Sequence, residues 1–255
     1  MSSKYNKLAG KHVLILGGSS GIGRCVAEAA LAAGANVTIS SSSRARVDAA
    51  AAALAGTFPG RTVRGLAVDL SRPTVEADFA ALFEAVGPVD HIVYTAADAL
   101  ALGPLDGVDV GAAHRAAHMR LVVPLLLGKA ARAPLPCTRH ASLTLTTGTV
   151  AERPGRDWAL VAFLAGGLQS LTRALAVELA PVRVNAVRPG IVATGLWDAN
   201  MDAGQKQAML GAVGEQALTG AAGEPEDVAE AYLWLMKDGN VTGTVAATDG
   251  GALLV

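Results

Sequence analysis

The chain has 255 residues, of which 51% are apolar and 17% charged, so it holds one large or two small domains at roughly 100 to 200 residues each and is not disordered. Lys and Arg number 21 against 22 Asp and Glu, a formal net charge of −1. With no extended run of one sign, neither a nucleic acid nor an anionic membrane is expected as a partner.

From Met1 to Lys11 the chain is polar and basic, and the apolar stretch that follows is cut at Gly17-Gly18, so no signal peptide is expected. Short runs rich in Val and Ile then alternate with longer Ala- and Leu-rich stretches of helical period. Strands are expected at Val13–Leu16, Val37–Ser40, Val63–Val68, Ile92–Thr95, Leu143–Thr147, Val184–Val187 and Val245–Thr248. Helices are expected at Ile22–Ala33, Arg44–Leu54, Val75–Val86, Val110–Ala133, Trp158–Leu179 and Glu226–Met236, several of them stopped by Gly34, Gly87 or Pro134. Such alternation describes a parallel sheet covered on both faces, an α/β doubly wound (Rossmann) fold. No linker or internal repeat divides residues 1–255, which therefore read as a single dinucleotide-binding domain. Between Val192 and Gly223, Gly, Asn and Asp residues break up a short helical pattern, and this stretch reads as a flap beside a site. The apolar run Leu121–Leu127 contains Pro124 and is far short of the roughly 20 residues of a membrane span. Cys25 and Cys137 are too few for a disulfide framework or a zinc site, and no metal is expected. A reducing, cytoplasmic setting fits them.

After the first strand comes Gly17-Gly18-Ser19-Ser20-Gly21-Ile22-Gly23, with a helical pattern opening inside it. Glycines there allow a tight turn and bring backbone N–H groups and a helix N-terminus against a pyrophosphate. Their spacing reverses the common dinucleotide fingerprint and resembles that of the short-chain dehydrogenase/reductase family. Three further stretches resemble the same family: Asp69-Leu70 after the third strand, Arg183 to Thr194, and the tail from Val241 to Gly251. The resemblance implies a seven-stranded parallel sheet, a nicotinamide cofactor and usually a homodimer or homotetramer. It places the cofactor against Gly17, Ser19, Ser20, Gly21, Ile22 and Gly23, against Asp69 and Leu70, against Thr95, Ala96 and Ala97, and against Pro189, Gly190, Ile191, Val192 and Thr194. NAD-preferring sites usually present a carboxylate to the ribose about 20 residues after the glycine loop. Here Ser41, Ser42, Ser43 and Arg44 follow the second strand with no carboxylate, which favours NADP while leaving NAD possible. Ser41 to Ser43 also suit a helix N-cap.

The family normally supplies a Tyr, which donates a proton, and a Lys four residues later. Aligning on Leu171 to Ala180, which closely resembles the family's stretch after that Lys, puts Val161 at the Tyr position and Ala165 at the Lys position. Gly148 falls where the family has its catalytic Ser, Arg120 near its active-site Asn, and Tyr94-Thr95-Ala96-Ala97 on its Asn-Asn-Ala-Gly. Substitute groups are Thr147 and Thr149 on the strand, Arg120 and His118 on the helix, and Asp157 or Glu152 in the loop, although each also has a plain structural role, that of Asp157 being to cap the following helix. Three functions remain open at this point: an atypical NADP-dependent oxidoreductase acting on a small carbonyl or alcohol, a redox-silent NADP-binding regulatory or structural subunit, and a lyase or isomerase using the same pocket. Trp158 and Trp197 are candidates to line that pocket. The helices Val110–Ala133 and Trp158–Leu179 are apolar around much of their circumference, which suits packing against a symmetry mate.

Overall fold

Every strand of the sheet is parallel to its neighbours in the computed structural model, which describes residues 4–255. The first three residues of the expected polar N-terminus lie outside the described residues. Seven strands, β1 (His12–Leu16), β2 (Asn36–Ser41), β3 (Val63–Ala67), β4 (His91–Tyr94), β5 (Ser142–Thr146), β6 (Arg183–Pro189) and β7 (Val245–Thr248), lie in the order β3-β2-β1-β4-β5-β6-β7. Val13, Leu14, Ile15 and Leu16 are all fully buried, as a strand covered on both faces requires. One core fills the face under α3 (Val75–Val86), α5 (Val123–Ala130) and α6 (Ala159–Glu178). The other lies under α1 (Gly21–Ala32), α2 (Arg44–Thr57) and α8 (Pro225–Lys237). The expected doubly wound domain is the one observed.

The long helix expected over Val110–Ala133 is interrupted. It consists of α4 (Val110–Ala117), a π-helical turn over His118–Val122, and α5. Pro124 is the physical cause, because it lacks an N–H and its ring conflicts with the carbonyl four residues earlier, that of Arg120. The Tyr94 hydroxyl at the end of β4 donates to the Met119 carbonyl inside that wide turn at 2.7 Å.

The stretch from Val192 to Gly223 also differs from the broken pattern expected of it. Val192 and Gly223 pair as an isolated parallel bridge, Gly195–Ala199 forms a 3-10 turn, and α7 (Ala203–Gln216) starts on a capping box of Asp202 and Gln205. No residue of α7 is buried. A third, small cluster of Leu100, Val161 and Trp197 joins this flap to the top of the sheet.

By length and composition α6 would reach across a membrane, yet Leu164, Leu168 and Leu175 are buried beneath it. Both cysteines are free; Cys25 is buried beside Glu226, and burial first, with that carboxylate second, pushes its thiol up to about 12.

Candidate functional site

β1 and β4 are neighbours although their chain connections run to opposite sides, and a crevice opens beyond their carboxyl ends, where such sheets bind ligands. The crevice widens into a cleft of about 820 Å³. Its floor at the β1 end is a backbone cradle. Gly17 has φ +93°, and a Cβ on it would lie 2.5 Å from the Ala96 nitrogen. A Cβ on Gly23 would lie 2.4 Å from both the Gly17 oxygen and the Thr95 hydroxyl. Ser20, the N-cap of α1, makes no side-chain capping bond, and no acidic residue stands in the first turn. The leading N–H groups and the positive end of the helix therefore face the cleft without an internal partner, which fits a pyrophosphate. Gly17, Ser19, Ser20, Gly21, Ile22 and Gly23 all line the cleft.

At the end of β2 the outcome is mixed. Ser41 and Ser42 line the cleft, whereas Ser43 and Arg44 do not. Ser43 is the N-cap of α2, and its hydroxyl accepts from the Arg46 N–H at 3.3 Å. With the helix starting there, Arg44 turns outward to an exposed pair with Asp48 at 3.4 Å. Arg46 takes the position expected of Arg44: it lines the cleft and donates to the Ser42 hydroxyl at 3.2 Å. Asp69 and Leu70 line the next stretch. The Ser71 hydroxyl and N–H, at 2.7 and 3.0 Å from Asp69 Oδ1, hold that carboxyl below its ordinary range.

Toward the other end, Thr95, Ala96 and Ala97 line one wall and Pro189, Gly190, Ile191, Val192 and Thr194 the opposite one. Val161, Leu164, Ala165 and Leu168 of α6 line the cleft together, the spacing of a single helix face, so the positions aligned with the Tyr and Lys do point at the site. Above Gly148, a Cβ would meet nothing nearer than Val150 Cγ1 at 3.7 Å.

The substitute proton donors separate clearly. Thr147 lines the cleft, but its hydroxyl donates to the Ala165 carbonyl at 2.9 Å. Thr149 lines the cleft with no side-chain partner among the described residues. Arg120 reaches in from the π-helical turn, donates to the Asp98 carbonyl at 2.7 Å and pairs with the Asp98 carboxylate at 3.2 Å. His118, on that same turn, is directed elsewhere: its Nε2 meets the Leu70 carbonyl at 3.0 Å and the residue lies outside the cleft lining. Glu152 is paired with Arg188. Asp157 does not cap α6; it has φ +65°, is exposed, and its carbonyl accepts from the Gly103 N–H at 3.0 Å. Among the described lining residues there is no lysine, and the sole tyrosine is Tyr94, whose phenol burial pushes well up. Sequence reasoning missed Tyr94 as the donor that closes the π-helical turn, although an aromatic hydroxyl at a strand end next to a proline-broken helix was the available signal.

Trp158 and Trp197 line the cleft, with ring centroids 6.3 Å apart and planes tilted by 51°, and Trp197 is also a buried core residue. Trp197 Nε1 donates to the Val192 carbonyl at 2.8 Å, which fixes its ring.

A doubly wound parallel sheet with a glycine cradle at its switch point is the architecture of the dinucleotide-binding folds. The chain belongs to the short-chain dehydrogenase/reductase (SDR) family: the family profile described as an SDR-like Rossmann domain matches residues 4–255. Members of this family bind nicotinamide cofactors. Among its relatives, short-chain dehydrogenase/reductase ATR9 of Stachybotrys chlorohalonatus is 39% identical over 254 residues, covering 97% of this chain and 98% of that one. The solved structure of the MalC reductase/Diels-Alderase from Malbranchea aurantiaca superposes with a TM-score of 0.92 at 37% identity, covering 99% of this chain and 100% of that one. A small-chain dehydrogenase in complex with NADPH superposes with a TM-score of 0.78 at 28% identity, covering 96% and 100%.

Proposed function

We propose that this chain is an NADP(H)-binding oxidoreductase that interconverts a carbonyl and an alcohol, or a related pair, without the family's Tyr and Lys. The uncapped N-terminus of α1 above the glycine cradle carries the cofactor part of the reading. Ser41, Ser42 and Arg46 carry the preference for NADP, since they offer hydroxyls and a guanidinium to a 2′-phosphate and no carboxylate to repel it.

When bound, the cofactor supplies a hydride to the substrate. The chain's own residues do the rest. Pro189 to Thr194 and Thr95 to Ala97 hold the two sides of the cleft beyond the cradle. Arg120 stays charged at any working pH and is paired with Asp98, so it braces the wall of the cleft and does not release a proton. The Thr149 hydroxyl both donates and accepts, which suits it to relay a proton from water. A cytoplasmic homodimer or homotetramer goes with this reading: both cysteines are free thiols, and Phe163, Val177 and Leu125 stand 64%, 78% and 51% exposed on the outer faces of α6 and α5.

One observation favours a second reading. The MalC structure is described as that of a reductase and Diels-Alderase, and a ring closure of that type needs no proton donor. A cleft that holds a folded substrate against apolar walls can promote such a step by orientation alone.

The test is fluorescence titration with NADPH, followed by a panel of short aliphatic ketones and aldehydes. NADPH emission should shift on binding while the panel oxidises it negligibly. Gly23→Val should abolish the shift. No shift with NADPH, or a shift that survives Gly23→Val, would overturn the reading.

A further inference from the structure

The two halves of the cleft differ sharply in chemistry. Ser19, Ser20, Ser41, Ser42, Ser71 and Arg46 line the nucleotide half, whereas Leu100, Val150, Trp158, Val161, Leu196 and Trp197 wall the other. In that second half every charge is already met. Asp98 neutralises Arg120 at 3.2 Å, and Lys206 pairs with Asp198 at 2.7 Å. Of the hydroxyls, that of Thr147 donates to the Ala165 carbonyl, and that of Thr194, on the wall assigned to the cofactor, accepts from the Leu196 N–H at 3.4 Å. Thr149 alone among these threonines has no side-chain partner.

This composition excludes two large groups of substrate. A carboxylate or phosphate would be buried beside no free cation, and a polyol would leave most of its hydroxyls without partners, a costly state in an apolar pocket. What the walls offer instead is aromatic surface. The two indoles are set at 6.3 Å and 51°, and the Trp197 ring is locked by its bond to Val192. Val161, Ala165 and Gly148 leave the floor wider than larger side chains would, with nothing nearer than 3.7 Å to a Cβ on Gly148.

We propose that this half of the cleft binds an uncharged, flat, ring-bearing substrate of low polarity, a fused aromatic ketone or the corresponding alcohol. Trp158 determines the specificity through its ring face, with the buried Trp197 backing it, and Thr149 makes the one polar contact, to the ketone oxygen. The proposal rests on the reading that NADP(H) fills the polar half.

Calorimetry on protein saturated with NADP+ tests it, because the oxidised cofactor cannot deliver a hydride to a ketone and the heat reports binding alone. The probes are 2-acetylnaphthalene and a ketopentose. The naphthyl ketone should bind at least tenfold more tightly. Trp158→Ala should weaken it at least fivefold and leave NADP+ affinity within twofold, and Trp197→Phe, which keeps an aromatic face in the buried cluster, should weaken it less. Equal or tighter binding of the ketopentose, or naphthyl ketone binding unchanged in Trp158→Ala, would overturn the proposal. Titrating NADP+ first separates the two claims: absent NADP+ binding defeats the cofactor reading, and the same ranking of ketones with the same dependence on Trp158 is then required of the cofactor-free protein.

Discussion

Thr147 Oγ1 donates to the backbone carbonyl of Ala165 at 2.9 Å, tying the residue just past β5 to the position on α6 where the family's Lys would stand. A hydroxyl flanking the Ser position thus serves as a brace between strand and helix. Thr147→Val should lower stability by about 1 kcal/mol, the net worth of one such bond. NADPH affinity should stay within twofold. Urea unfolding and nucleotide titration measure both, and a large loss of nucleotide binding at unchanged stability would show the hydroxyl facing the ligand instead.

Restoring the family's side chains has a structural obstacle. Val161 is buried in one cluster with Leu100 and Trp197, so a Tyr there must displace its neighbours, at about 1–3 kcal/mol. Gly148→Ser meets no such obstacle. The triple variant Gly148→Ser, Val161→Tyr, Ala165→Lys should therefore melt earlier than the parent and gain reduction of simple aldehydes, by up to about 10² to 10⁴. A folded variant with no gain, read by NADPH absorbance, would show that Val161 and Ala165 are not the counterparts of the Tyr and Lys.

The imidazole of His91 lies far from the cleft, inside the sheet against Ser142, with Nδ1 2.8 Å from the hydroxyl. Burial pushes it down to about 3; Arg183 and Lys11 press the same way and Asp90 opposes them. Because its folded value lies below the ordinary 6.5, the unfolded chain binds the extra proton between those two pH values. The stability His91 contributes is whole above about pH 6.5 and is lost as pH falls toward 3, at up to about 1.4 kcal/mol per pH unit. His91→Gln should lose less stability than the parent between pH 6.5 and pH 4.5 in urea unfolding. Equal losses would contradict this account.

Much of the architecture was legible because burial on both faces leaves few sequence choices. The Val- and Ile-rich runs became β1 to β7, and Val75–Val86, ended by Gly87 at φ +76°, is the helix expected there. The π-helical turn was not legible, since a proline can end a helix or widen it, and the hydroxyl of Tyr94 that supports the wide turn comes from a distant strand. α7 was legible only as a broken, short helical pattern because none of its residues is buried, so it lacks the apolar stripe by which helices are found. In the site, the glycine cradle was legible from the glycine spacing together with the strand before it and the helix that opens inside it. The choice between Arg44 and Arg46 was not, because it depends on which serine caps α2, and a shift of two helical residues turns a side chain to the opposite face.

That choice gives the most direct test of the central claim, that the polar half of the cleft is an NADP site. Calorimetric titration of the unmodified protein with NADPH and NADH should show NADPH binding at least tenfold more tightly. Arg46→Ala should remove most of that preference by weakening NADPH alone, and Arg44→Ala, which breaks only the exposed pair with Asp48, should leave it intact. Equal affinities for the two nucleotides in the unmodified protein, or a preference for NADH, would contradict the account.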